Sequence, residues 1–169
     1  MIKWAAAKVE ALNEALFPSP LPSWIQVAKR EIGIKEIRGG EHPRIIEYHS
    51  KTTLQATEDE ISWCSSFVNW VMWKCKMERS GSAAARSWLG YGKRLPGFKK
   101  YAIVVFKRGN SSWQGHVAFA IKDNGNGTIQ VLGGNQSDQV CYANYLKTNV
   151  LGYVWPIPET NVTSIHPLA

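Results

Sequence analysis

Cysteine is scarce in this chain of 169 residues: Cys64, Cys75 and Cys141 form an odd, widely spaced set of three. A disulfide framework needs a denser and even set, so folding in a reducing compartment is expected. No apolar run approaches the roughly 20 residues of a membrane-spanning helix, which excludes membrane insertion of that kind. Cys-x-x-Cys and His-Glu-x-x-His spacings are missing, and His42, His49 and His116 do not make up for them; no metal and no cofactor is expected. There is no internal repeat, no low-complexity segment and no nucleic-acid-binding motif, so nucleic acid is not an expected partner. Acidic residues are in deficit, 13 Asp+Glu against 20 Lys+Arg, and the net charge of +7 suits an anionic polymer or surface.

What is present reads as one globular domain over residues 1–169, with 44% hydrophobic and 20% charged residues. Its expected parts are a helix and Pro-rich connector (1–21), a core (22–156) and a tail (157–169). Lys8, Glu10 and Glu14 interrupt the apolar positions of the first segment. It therefore reads as an amphipathic helix and not as a secretory signal, and synthesis in the cytoplasm without a signal peptide is expected. Pro18, Pro20 and Pro22 end that segment. Ser23 is placed to cap a helix with Trp24, Ile25, Val27, Ala28 and Ile32 on its apolar face and Gly33 as its stop. Pro43 opens a short helix to Tyr48. Cys64, Phe67, Val71 and Cys75 recur at three- and four-residue steps in a helix capped by Ser62, and 83–89 forms another short one.

The period changes at Tyr101. Segments 101–106, 116–121, 128–132, 139–145 and 150–155 read as strands, with Asp123-Asn124-Gly125-Asn126-Gly127 as a hairpin turn. Helices followed by strands predict an α+β fold, the helices packed on an antiparallel sheet of about five strands.

Cys64 falls in the first turn of its helix, where free N–H groups and the positive dipole end favour a thiolate and can hold an oxyanion. The acidic run Glu58-Asp59-Glu60 opposes this, so a cationic imidazole is needed as well. Centring the hairpin on Gly125 pairs Phe119 with Val131, Ile121 with Ile129 and His116 with Gly134. A kink at Gly133-Gly134 then brings Asn135 beside His116, where its carbonyl can fix the imidazole tautomer. Nucleophile, base and orienter are the three roles of a cysteine hydrolase. Cys75 and Cys141 read as plain core.

Three segments carry a resemblance: Trp63-Cys64-Ser65-Ser66-Phe67-Val68, Gly115-His116-Val117-Ala118-Phe119 and Leu132-Gly133-Gly134-Asn135-Gln136. Together with Gly39-Gly40-Glu41-His42-Pro43 and the closing Gly152-Tyr153-Val154-Trp155-Pro156, they resemble the CHAP-type amidohydrolase/peptidase family of the papain-like superfamily, in its phage and bacterial endolysin-like branch. The likeness covers about residues 22–156. It lacks the family's usual acidic residue after Pro96-Gly97. The resemblance implies a papain-like fold and hydrolysis of an amide bond in peptidoglycan stem peptides, as an N-acetylmuramoyl-L-alanine amidase or an endopeptidase. Cys64, His116 and Asn135 would be catalytic, with the backbone N–H of Cys64 as oxyanion donor.

Trp63, Trp113 and Gln136 are the expected substrate contacts, although Trp63 suits a core position equally. Six cations from Lys93 to Arg108 form either a solvated face or an attraction to the wall. A monomer acting on the cell wall after holin-type release is expected. The alternatives are an effector toxin injected into a rival's periplasm, with an immunity protein as partner, and a non-catalytic wall-binding module.

Overall fold

The computed structural model describes residues 20–54 and 62–160. The expected N-terminal helix, the acidic run 58–60 and most of the tail lie outside the described residues. Three α-helices come first: α1 (Ser23–Arg30), α2 (Pro43–His49) and α3 (Cys64–Lys74). A 3-10 turn (Ala85–Gly90) follows. Then come β1 (Lys93–Leu95), β2 (Ile103–Lys107), β3 (Gly115–Asp123), β4 (Thr128–Gly133), β5 (Cys141–Leu146) and β6 (Val150–Trp155). All pair antiparallel in one sheet of order β1-β6-β2-β3-β4-β5. The five expected strands are all present; β1, a three-residue edge strand without apolar alternation, is the sixth that the sequence pattern did not reveal.

Helix α1 buries Trp24, Ile25 and Ala28 at one- and three-residue steps, the stripe expected of an amphipathic helix. Its boundaries differ from expectation: Pro22 occupies the N-cap and the helix stops at Glu31, two residues before Gly33 takes a left-handed φ of +95°. Helix α3 is different in kind, because every residue from Cys64 to Met72 is buried. It sits between α1, α2 and the sheet, with Phe67 edge-on to Phe119 of β3 at 6.3 Å.

A helix buried all round must satisfy its own polar groups. Asn69 and Ser65 do so by fastening a loop. The Asn69 amide donates to the Ser82 carbonyl (3.1 Å) and its oxygen accepts from the Gly81 N–H (2.8 Å), while the Ser65 hydroxyl donates to the Ser82 carbonyl (2.7 Å). The Trp88 indole donates to the Ser65 oxygen (3.0 Å). The chain from Ser80 to Trp88 is thereby fixed along the N-terminal half of α3.

The β3–β4 hairpin departs from the expected register. Phe119 pairs with Leu132 and Ala120 with Val131, and a bulge at Ile121 shifts the ladder so that Lys122 meets Gln130. Ala118, Phe119, Ala120, Val131 and Leu132 are all buried, on two different faces. An apolar run buried on both sides carries no alternation with which to choose a register. The bulge and the turn choose it, the latter closed by Asn124 N–H to the Thr128 carbonyl (3.1 Å) with Gly125 and Gly127 at φ +76° and +84°.

Candidate active site

Cys64 is the first residue of α3, and Trp63, not Ser62, is its N-cap, without any side-chain capping bond. Ser62 instead turns its hydroxyl to the Cys64 sulfur. The expectation of a Ser62 cap is thus corrected, and the N–H groups of the first turn are left uncapped beside the thiol. Ala120 donates its N–H to Ala102 of the chain entering β2 (2.8 Å), so alternation along β3 points the Val117 N–H away from β2. Strand β4 pairs with β3 only from Phe119 onward. The Val117 N–H therefore faces an unpaired edge, and it donates to the sulfur of Cys64 that occupies this position.

His116, one residue earlier and 4% exposed, is the thiol's side-chain partner. Burial pushes the Cys64 thiol up. The hydrogen bond and charge of His116, the Val117 N–H and the Ser62 hydroxyl together more than reverse this, leaving it below a free thiol's value. A lowered pKa means deprotonation at lower pH. Alkylation of Cys64 by iodoacetamide is accordingly expected to show a pH midpoint below the ordinary 9.0, and His116→Ala should move that midpoint upward, since the burial remains. An unchanged midpoint in the variant would contradict the pairing.

The imidazole is oriented by a residue other than the one expected. His116 Nε2 lies 3.0 Å from Gln136 Oε1, and the Gln136 amide nitrogen donates to the Cys141 carbonyl at 2.6 Å. A carbonyl only accepts, so the second bond fixes the amide's orientation; the oxygen facing His116 then requires the proton on Nε2. Nδ1 is left with its lone pair for the thiol. Asn135, expected in this role, is half-buried, sits at φ +55° and makes no hydrogen bond to His116 among the described residues. Asparagine tolerates the left-handed region, and here it swings the chain so that the following side chain reaches the ring. Gln136, expected to contact substrate, is 3% exposed and faces the imidazole instead.

Two glycines make this turn possible. A Cβ on Gly134 would stand 2.5 Å from the Trp63 ring and 2.7 Å from the Phe67 Cβ; one on Gly133 would stand 2.8 Å from the Ala118 Cβ. The start of α3 thus lies directly against backbone at the end of β4. Gly134→Ala is expected to destabilise the fold by about 1–3 kcal/mol through overpacking, measurable as a lowered denaturation midpoint. Trp63 itself is fully buried, donates its indole N–H to Glu36 Oε1 (2.6 Å) and packs against Tyr48 at 5.8 Å. It is therefore a core residue and not a groove contact.

On the other side of the imidazole, Tyr145 of β5 stacks at 4.8 Å and 15°, with Phe106 stacked in turn on Tyr145 at 4.8 Å. Burial and then the charge of Cys64 push the Tyr145 hydroxyl up to about 12, so it remains protonated. The thiol opens into a cleft of about 230 Å³ walled by Ala83–85, Arg108, Gln114, Gly115 and Trp113. Trp113 is 72% exposed and is the one expected substrate contact that reaches this cleft.

Sequence reasoning missed Ser62 as a thiol contact, Gln136 as the orienter and Tyr145, and it saw Arg108 only as one of six cations, not as a wall of the cleft. The doublet Asn135-Gln136 offered a signal for the second; Tyr145 offered none. The other two cysteines are also free thiols: Cys75 is half-buried, and Cys141, whose carbonyl holds the Gln136 amide, donates its S–H to the Gln136 carbonyl at 3.3 Å. His42 caps α2 and buried His49 meets the Ser66 hydroxyl at 3.0 Å. No group of three metal-ligating side chains occurs among the described residues.

A thiol at the start of a central helix, facing an imidazole on an antiparallel sheet that an amide orients, is the arrangement that papain-like cysteine hydrolases use. Residues 56–135 match the family model of the CHAP domain. That match is consistent with a CHAP-type cysteine- and histidine-dependent amidohydrolase/peptidase, and a CHAP domain implies a hydrolase that acts on peptidoglycan. No curated protein gives a significant match.

Proposed function

We propose that the chain hydrolyses an amide bond of peptidoglycan stem peptides by a thiol mechanism, as a lytic enzyme of the endolysin kind. The observation that carries this reading is the Cys64–His116–Gln136 relay opening onto a cleft. Cys64 attacks the carbonyl as a thiolate, and its sulfur forms a thioester while the amine leaves with a proton from His116. Water then attacks the thioester, giving its proton to His116 Nδ1, and the acid is released with the thiol restored. The negative oxygen of each tetrahedral intermediate lies where uncapped N–H groups of the first turn of α3 can stabilise it. The net charge of +7 supports retention on an anionic wall, and action there after holin-type release is part of the proposal.

The test is digestion of purified sacculi followed by mass spectrometry of the soluble fragments. Each product pair is expected to sum to its parent plus one water, with a new amine and a new carboxyl group at one fixed amide. That amide is either muramoyl–alanine or one within the stem. Fragments carrying cleaved glycosidic bonds, or none at all, would refute the proposal.

A further inference from the structure

Of the six cations between Lys93 and Arg108, three are engaged in the scaffold. Lys99 lies 3.9 Å over the Trp155 ring, Lys100 lies 5.0 Å from the Tyr101 ring, and Arg94 donates to the Leu89 carbonyl at 3.1 Å. Nearby Arg86 is committed as well, donating to the Gln114 carbonyl (2.7 Å) and the Ser111 carbonyl (2.6 Å) and so pinning the loop that presents Trp113. Arg108 differs. It is exposed, it forms no hydrogen bond or ion pair with any described residue, and it lines the cleft that holds Cys64. Among the described residues lining that cleft it is the only cation, and no carboxylate accompanies it. Its charge also reaches the hydroxyl of Tyr145, the ring stacked on His116.

A guanidinium lining the same cleft as a nucleophile, together with small alanines and an exposed indole, is a fork for a planar anion. We propose that Arg108 anchors a free carboxylate of the substrate adjacent to the scissile amide, so that the enzyme selects peptides whose cleaved bond is flanked by an acidic group. This rests on the hydrolase reading but concerns which amides are chosen. Arg108 is a binding and specificity residue; it takes no part in the proton transfers.

Two measurements test it separately. The first needs no turnover: alkylation of Cys64 by iodoacetate and by iodoacetamide, reagents differing in charge, followed by peptide mass. Arg108→Gln is expected to lower the iodoacetate-to-iodoacetamide rate ratio by about threefold or more, the size of one partly screened ion contact, with Arg108→Lys keeping much of it. The Cys64–His116 pair is common to all three proteins, so its own charge cancels in the comparison. Raising the salt to about 0.5 M should bring the unmodified protein's ratio towards that of the glutamine variant.

The second measurement compares muramoyl-linked stem peptides that carry either a carboxylate or its carboxamide beside the scissile bond. The unmodified enzyme should favour the carboxylate through KM, and Arg108→Gln should erase the preference. An unchanged alkylation ratio, or a preference that survives the substitution, overturns the anchor. A shifted ratio with neither peptide cleaved leaves the anion site standing and overturns the hydrolase reading.

Discussion

Cys64→Ser is expected to lower kcat on sacculi by about 10⁴-fold or more while leaving the melting temperature nearly unchanged. The substitution is close to isosteric, and a serine hydroxyl can still accept from the Val117 N–H, so neither a cavity nor an orphaned donor is created. What is lost is the anion. The Ser62 hydroxyl, the Val117 N–H and His116 converge on the sulfur strongly enough to overcome burial, and the result is a thiol below its ordinary value. A serine hydroxyl starts far higher, and the same surroundings do not ionise it near neutrality. Cys64→Ala should be equally inactive on the wall. Residual lysis by either variant beyond a few thousandths of the original rate would mean that another group is the nucleophile.

The second large effect separates two neighbours. Gln136→Ala is expected to lower kcat by about 10²-fold, because the imidazole loses the acceptor that holds its proton on Nε2. Asn135→Gly should retain activity within about threefold, because the position needs a left-handed backbone, which glycine adopts freely. Gln136→Glu keeps an acceptor for the ring but loses the donor to the Cys141 carbonyl, and should recover part of the activity with an altered pH profile. A merely structural role for Gln136 would lower stability without moving that profile. The opposite ranking, Asn135 essential and Gln136 dispensable, would restore the reading from sequence and refute the geometry.

The sequence pointed to Asn135, whereas the hydrogen bond to His116 is made by its neighbour Gln136, for a physical reason. It placed a carbonyl-bearing side chain after Gly133-Gly134, opposite His116, and that much was legible because glycines license a kink at a strand end. Which of two adjacent amides turns inward depends on backbone torsion, and Asn135, Ser137 and Asp138 all lie at positive φ, between +53° and +61°. Three non-glycine residues in that region within four positions cannot be read from residue type. They are imposed by the neighbours: Glu36 N–H donates to the Asp138 carbonyl (2.8 Å), and the Gln136 N–H to the Gln139 carbonyl (3.0 Å). Trp63 misled for a related reason. An indole beside a nucleophile suits a groove, but the contact between α3 and Gly134 encloses it completely.

By itself the sequence determined that helices precede an antiparallel sheet, that a cysteine begins the buried helix, and that a histidine begins a central strand. Apolar period, turn glycines and chain order are local quantities, and they suffice for these. Only the tertiary structure decided the hairpin register, the choice of Gln136 over Asn135, the stacking of Tyr145 and the exposure of Arg108 to the cleft. Each of those depends on which edge of a strand lies unpaired and which side chain fills the space beside it. Such spacing comes from the packing of segments tens of residues apart, and no window along the chain contains it.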